Sequence, residues 1–251
     1  MHRNIMADKI SVLMPCYNAE EFIDEAVASI VSQSYYNWEL IIHDDNSTDN
    51  SFQKAIAWQS RDPRVKVSRN YGQHGHFIDI CNDQISESSG YYIARLDADD
   101  IATENRLQRQ AGLYDEYRAK HVAALGALAI EITRADNNTW GRNPYGWIDE
   151  YIVPVASYDT PVNQYLSTFN RVIHSTLFTT RENIVNVGGY DAIDPVEDYD
   201  LSLKLSETGN IYVIPEVLAT KRRHENNYSK LTKQRLGDSL AQLASRHQFS
   251  P

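Results

Sequence analysis

Carboxylates gather at three points of this sequence: Asp44 and Asp45 ahead of Asn46-Ser47-Thr48-Asp49, the run Asp97-Ala98-Asp99-Asp100, and the pair Glu197-Asp198. In Asp97-Ala98-Asp99, two acids one residue apart can divide a task, one gripping a ribose or sugar hydroxyl while the other meets a divalent cation. Hard Mg²⁺ or Mn²⁺ takes such oxygen ligands together with substrate phosphates. A solvated turn or a helix cap is the competing reading for any single acid cluster. A calcium loop is excluded, because neither Asp45 nor Asp97 is followed by Gly at the sixth position and Glu at the twelfth.

These acids need elements to aim them. Four near-continuous apolar or β-branched runs, Lys9–Met14, Trp38–His43, Arg64–Ser68 and Tyr91–Leu96, read as strands buried on both faces. Glu20–Val31 repeats its apolar residues at helical spacing, and a second helix starts at Asp49. Alternating strand and helix predicts an α/β fold with a mainly parallel central sheet flanked by helices. In such sheets ligands bind beyond the carboxyl ends of the strands, and there lie Pro15-Cys16-Tyr17-Asn18, the Asp44 run and the Asp97 run. Beyond Asp100 the pattern predicts a helix over about Glu104–Lys120, a strand over Val122–Ile132, a strand over Val172–Thr180, a helix over Val196–Glu207, a strand over Asn210–Ile214 and a helix over Tyr228–His247. Asn137 to Ser157 reads as a long loop facing substrate.

Read together, these motifs identify a resemblance to family 2 glycosyltransferases of the GT-A (Rossmann-like) fold. It rests on Pro15-Cys16-Tyr17-Asn18, Asp45-Asn46-Ser47-Thr48-Asp49, Asp97-Ala98-Asp99-Asp100, Gly188-Gly189-Tyr190-Asp191 with Glu197-Asp198-Tyr199-Asp200-Leu201, and Arg222-Arg223-His224 with Ser229, in that order. The resemblance implies one domain over residues 1–251, with a nucleotide-sugar half at about 9–100 and an acceptor half, ending in a C-terminal helix, at about 101–251. It implies an inverting transfer of sugar from a nucleotide diphosphate-sugar, UDP-sugar favoured, to a carbohydrate or glycoconjugate acceptor in surface polysaccharide or glycoconjugate biosynthesis, assisted by Mn²⁺ or Mg²⁺. By position, Pro15, Tyr17, Asn18, Asp45, Arg69 and Asp97 would meet the donor, Asp99 and His224 the metal, and Glu197 and His174 the acceptor side. Asp198 would be the general base. The chain departs from the family at Cys81, which stands where an Arg often precedes the Asn of the third helix; Arg69 and Arg95 are the candidates to replace it. Cys16 stands where a small apolar residue is usual, and packing explains it better than reactivity.

Composition narrows the alternatives. A net charge of -10 argues against nucleic acid as partner, since that role needs clustered Lys and Arg. Two cysteines outside any metal-spaced motif give neither a disulfide framework nor a zinc site. No apolar run reaches the roughly 20 residues of a membrane-spanning helix, and Met1 to Ala7 lacks a secretory apolar core. The expectation is a cytoplasmic protein, with peripheral docking at the inner membrane face open to it; the oligomeric state is not encoded in these motifs. His74 and His76 lack a third ligand at sensible spacing and read as a loop before a helix. The run Lys221-Arg222-Arg223 reads equally as a diphosphate contact and as a solvated patch. Two rivals remain: a nucleotidyltransferase, which expects a Gly-rich basic loop after the first strand, and a non-catalytic nucleotide-sugar or glycan-binding module.

Overall fold

A computed structural model describes residues 8–71, 77–134, 140–142, 156–225, 227 and 236–248. The strands are β1 Ile10–Cys16, β2 Trp38–Asp44, β3 Val65–Arg69, β4 Tyr92–Arg95, β5 Ile101–Ala102, β6 Val122–Arg134, β7 Trp140–Arg142, β8 Phe178–Thr180 and β9 Asn210–Arg223. The helices are α1 Ile23–Val31, α2 Ser51–Arg61, α3 Phe77–Glu87, α4 Arg106–Glu116, α5 Arg181–Asn186, α6 Glu197–Thr208 and α7 Leu236–His247.

One sheet runs through the molecule in the order β3-β2-β1-β4-β8-β6-β9-β5, with β7 on β6. β3, β2, β1 and β4 are parallel, whereas β8 is antiparallel to both β4 and β6. The chain leaves β1 outward to β2 and β3, then returns to place β4 on the other side of β1. That reversal opens a crevice beyond the carboxyl ends of β1 and β4, where α/β sheets bind ligands.

The sheet sorts its side chains with period two. Ile10, Val12, Met14, Leu40 and Ile42 join one core with the apolar stripe of α1, namely Ile23, Ala26, Val27 and Ile30. Leu13 and Ile41 join the opposite core with Ile85 of α3 and Leu201 and Leu205 of α6. Each such side chain contributes about 1.5–3 kcal/mol by leaving water, so both faces anchor the strand ends that carry the acids.

Two predicted elements differ. Over Val172–Thr180 only β8 is extended, and His174–Thr176 instead form a 3₁₀ turn. Ser175 and Thr176 spend their hydroxyls there on Asp97, Asp100 and Ala127, which a straight strand would not allow. β9 runs on to Arg223 past Pro215, and its irregular pairing with β6 absorbs the proline. In the C-terminal helix the described part is Leu236–His247, and Tyr228 to Arg235 lies outside the described residues. Most of the Asn137–Ser157 loop, with His74 and His76, lies outside them too. Among the described residues no helix is long and apolar enough to cross a membrane.

Candidate active site

Beyond β1, Asn18 takes a left-handed backbone (φ 46°) that Asn tolerates better than most residues. Its backbone N–H donates to Ser47 Oγ at 2.9 Å, and its side-chain oxygen accepts from the Thr48 N–H at 2.8 Å. Asp49 likewise receives the Glu20 N–H and the Ser51 N–H, tying the first loop to the start of α2. The second acid run is therefore partly structural: Asp49 staples, while Asp45 sits buried just past the end of β2. Asp45 accepts from Asn70 Nδ2 at 3.1 Å, Pro15 is buried at the end of β1, and Tyr17 stands 41% exposed nearby. Arg69 pairs with Asp44 at 3.2 Å, donates to the Ser47 carbonyl and lies over the Phe52 ring, so it braces this loop. A cavity of about 520 Å³ lined by His43, Arg69, Asn70, Tyr71 and Asp83 adjoins Asp45 through Asn70. Neither Asp45 nor Asp97, Asp99 or Asp198 lines it; those carboxylates, not the cavity, locate the chemistry.

The third cluster follows β4. Carboxylate oxygens of Asp97, Asp99 and Asp100 lie within 4.8 Å of one another. Their environments differ. Asp100 is 1% exposed, and burial, then Asp99 and Asp97, raise its pKa well above the ordinary value. Burial also works against the charge of Asp97, but Arg95, then His174, Ser175 and Lys221, outweigh it and hold Asp97 at about 2. Ser175 Oγ sits 2.7 Å from Asp97 and 2.5 Å from Asp100. A hydroxyl has one proton to give. Ser175 therefore bridges the two carboxylates and donates to one of them at a time. Asp99 faces the far side: His224 Nε2 lies 3.0 Å and Asn227 Nδ2 3.1 Å from its Oδ2. His224 is held by stacking on Phe22 at 4.6 Å.

Arg95, 1% exposed, reaches from β4 to within 2.8 Å of Asp97 Oδ1 and donates to the carbonyls of Leu13 and Leu96. It also lies beside Cys81. A guanidinium thus reaches the neighbourhood of Cys81 from the strand instead of the helix. Both cysteines are buried and free; burial pushes the Cys81 thiol up to about 12, so packing suffices to explain them.

The last acids open α6. Asp198 accepts from Asn170 Nδ2 at 3.1 Å and from the Tyr199 N–H at 2.7 Å, and burial, partly opposed by the Tyr199 N–H and by Lys221, raises its pKa. Glu197 is buried, pushed up to about 8 by burial and then by Asp198, and points inward among Asp194 and Arg95. His174 Nε2 lies 2.6 Å from the Tyr190 hydroxyl, and burial followed by Arg95 keeps the imidazole neutral, down to about 3.

Asp97, Asp99, Asp198 and His174 share one field: Asp97 acts on Asp198 and on His174. Asp45 stands two strands away across β1, about 10 Å at the usual strand spacing. Sequence reasoning did not single out Asn170, Ser175 or Lys221; Lys221 alone carried a signal, as part of its basic run.

Residues 11–178 match the family model described as Glycosyl transferase family 2. The chain belongs to glycosyl transferase family 2. This glycosyltransferase is 28% identical over 227 residues to EpsE of Bacillus subtilis (strain 168), a protein provisionally named as a glycosyltransferase, covering 88% of the present chain and 76% of EpsE. Its fold matches S. aureus TarS 1-349 in complex with UDP-GlcNAc at TM-score 0.74 and 19% identity, covering 94% of this chain and 66% of that one. The mannosyltransferase PcManGT from Pyrobaculum calidifontis, in complex with GDP-Man and Mn²⁺, matches at TM-score 0.71 and 17% identity, covering 95% and 64%. The glycosyltransferase therefore has the GT-A fold and spans about two thirds of the length of these solved neighbours.

Proposed function

We propose that this glycosyltransferase moves a sugar, with inversion, from a nucleoside diphosphate-sugar to a hydroxyl of a carbohydrate or glycoconjugate acceptor. The observation that carries the reading is the convergence of ionised Asp97, of Asp99 with His224, and of Asp198 in one field at the sheet's switch point. Tyr17 and Asp45 take the nucleoside, Asp97 the ribose or donor sugar. UDP is the favoured nucleotide, supported by the UDP-GlcNAc complex of TarS.

The oxygen and imidazole donors of Asp97, Asp99 and His224 fit a divalent cation, and the Mn²⁺ complex of PcManGT supports that assignment. Such a cation offsets diphosphate charge as the leaving group departs. The chain's own residues do the rest. Asn170 aims the Asp198 carboxylate, which accepts the acceptor hydroxyl's proton as that oxygen bonds to the anomeric carbon. The bond from that carbon to the diphosphate oxygen breaks with its electron pair leaving on the nucleoside diphosphate. Attack opposite the leaving group inverts the centre without a covalent enzyme intermediate. Surface polysaccharide or glycoconjugate assembly is the setting the family resemblance favours.

Release of UDP from UDP-sugars, with Mn²⁺ and a panel of acceptor glycosides, tests the reading. Acceptor-stimulated release supports it; transfer of a nucleotidyl group, or binding without turnover across nucleotide-sugars, overturns it.

A further inference from the structure

Lys221 precedes the strand residue that grips the acid cluster. On β9 the Arg222 N–H donates to Asp100 Oδ1 at 2.9 Å, and the Arg222 guanidinium turns toward α1, donating to the Asp99 carbonyl and pairing with Glu25. Side chains alternate along a strand. Lys221 therefore leaves β9 on the other side, the side on which α6 and its first-turn Asp198 pack. Asp100, Asp97, Asp198 and Asp99 all act on the ammonium through their charge, and it acts in turn on Asp97, Asp198 and His174. The side chain is nevertheless exposed, open to whatever enters the crevice.

A flexible ammonium among carboxylates does two opposed things. With the crevice empty, it neutralises part of the negative charge that would draw in a bare divalent ion. With a diphosphate present, it has a second anion within reach of a four-carbon stem, and Lys serves phosphates as a mobile point charge. We propose that Lys221 is a built-in counter-ion of the acid cluster that transfers to the donor's diphosphate, so that cation binding is made dependent on nucleotide. The second half of this inference rests on the donor reading above; the first half does not.

Two equilibrium titrations separate them. Free Mn²⁺, followed by its electron paramagnetic resonance signal, is titrated into wild type, Lys221→Met and Lys221→Arg; UDP is then titrated calorimetrically at saturating Mn²⁺. Lys221→Met is expected to bind Mn²⁺ alone about tenfold more tightly and UDP about tenfold more weakly, because one charge is removed from each balance. Lys221→Arg keeps the charge and stays near wild type in both. A residue that merely supports the fold would weaken both or change neither. Bare-ion affinity that is unchanged or weaker in Lys221→Met, or UDP affinity that is undiminished, overturns the proposal. Wild type that binds Mn²⁺ but no UDP overturns the donor reading instead, and the bare-ion comparison then still judges the counter-ion role.

Discussion

Asn82 of α3 clasps the backbone of Tyr190 from both sides: its Nδ2 donates to the Tyr190 carbonyl at 2.9 Å, and its Oδ1 accepts the Tyr190 N–H at 2.8 Å. Tyr190 in turn holds His174 beside Asp97. The clasp needs Gly189, which has φ +69° and whose Cβ, if present, would stand 2.4 Å from Asn82 Oδ1. Gly189→Ala should therefore cost about 1–3 kcal/mol, from left-handed strain and loss of the clasp together. Urea denaturation of the variant checks this, with Gly188→Ala as comparison: it has similar strain (φ +81°) but nothing within 4 Å to displace.

Replacing Asp198 by Asn keeps its shape and removes the proposed base. Acceptor-dependent turnover should fall about 10²–10⁴-fold. UDP affinity at saturating Mn²⁺ should change little, since the proposed nucleotide contacts, Tyr17 and Asp45, follow β1 and β2 and not α6. Paired turnover and calorimetric measurements on the variant test this, and retained turnover would remove Asp198 from the base role.

The pH profile follows from the same group. Burial raises the Asp198 pKa above the ordinary aspartate value, and a base must be unprotonated to work. The acid limb of the turnover profile should lie above the ordinary value of 3.8. Lys221 lowers that pKa, so in Lys221→Met the limb should move to higher pH; movement to lower pH would contradict the assignment.

At the opposite end of the sheet, Glu39 is 1% exposed and gathers Lys66, Lys9, Ser11 and Ser89. Burial opposes its charge, but these four partners win and hold its pKa well below the ordinary 4.5. A depressed folded pKa stabilises above the unfolded value and is lost as pH falls through the folded one. Glu39→Gln should cost about 1–3 kcal/mol at pH 7, and the gap to wild type should narrow on acidification in urea titrations.

Asp200, fully buried, accepts from Arg246 and His247 of α7. In Asp200→Ala the C-terminal helix loses this latch. Limited proteolysis should then cut between α6 and α7 sooner than in wild type.

Much of this was legible in the residues. β1 to β4 were readable because strands buried on both faces show as apolar runs, and the acid clusters announced themselves at strand ends. Elsewhere local pattern misled. Val172 to Thr180 has strand-like composition, yet Ser175 turns to serve two acids 75 and 78 positions away. Pro215 hid the second half of β9, whose pairing with β6 carries Lys221 and Arg222 to the site. Arg95, one of two candidates to replace the family's arginine, is the buried partner of Asp97, a pairing that its place in an apolar strand did not show. Such roles depend on contacts between distant segments, which no short window displays.

The account stands on a nucleoside diphosphate being held at the Asp97–Asp99 cluster by way of a cation. Calorimetric titration of UDP into Asp99→Asn, with Mn²⁺ and with EDTA, tests it most directly. The variant should bind UDP as weakly with Mn²⁺ as without, while wild type binds far more tightly when the ion is supplied; Mn²⁺-enhanced UDP binding that survives in Asp99→Asn would contradict the account.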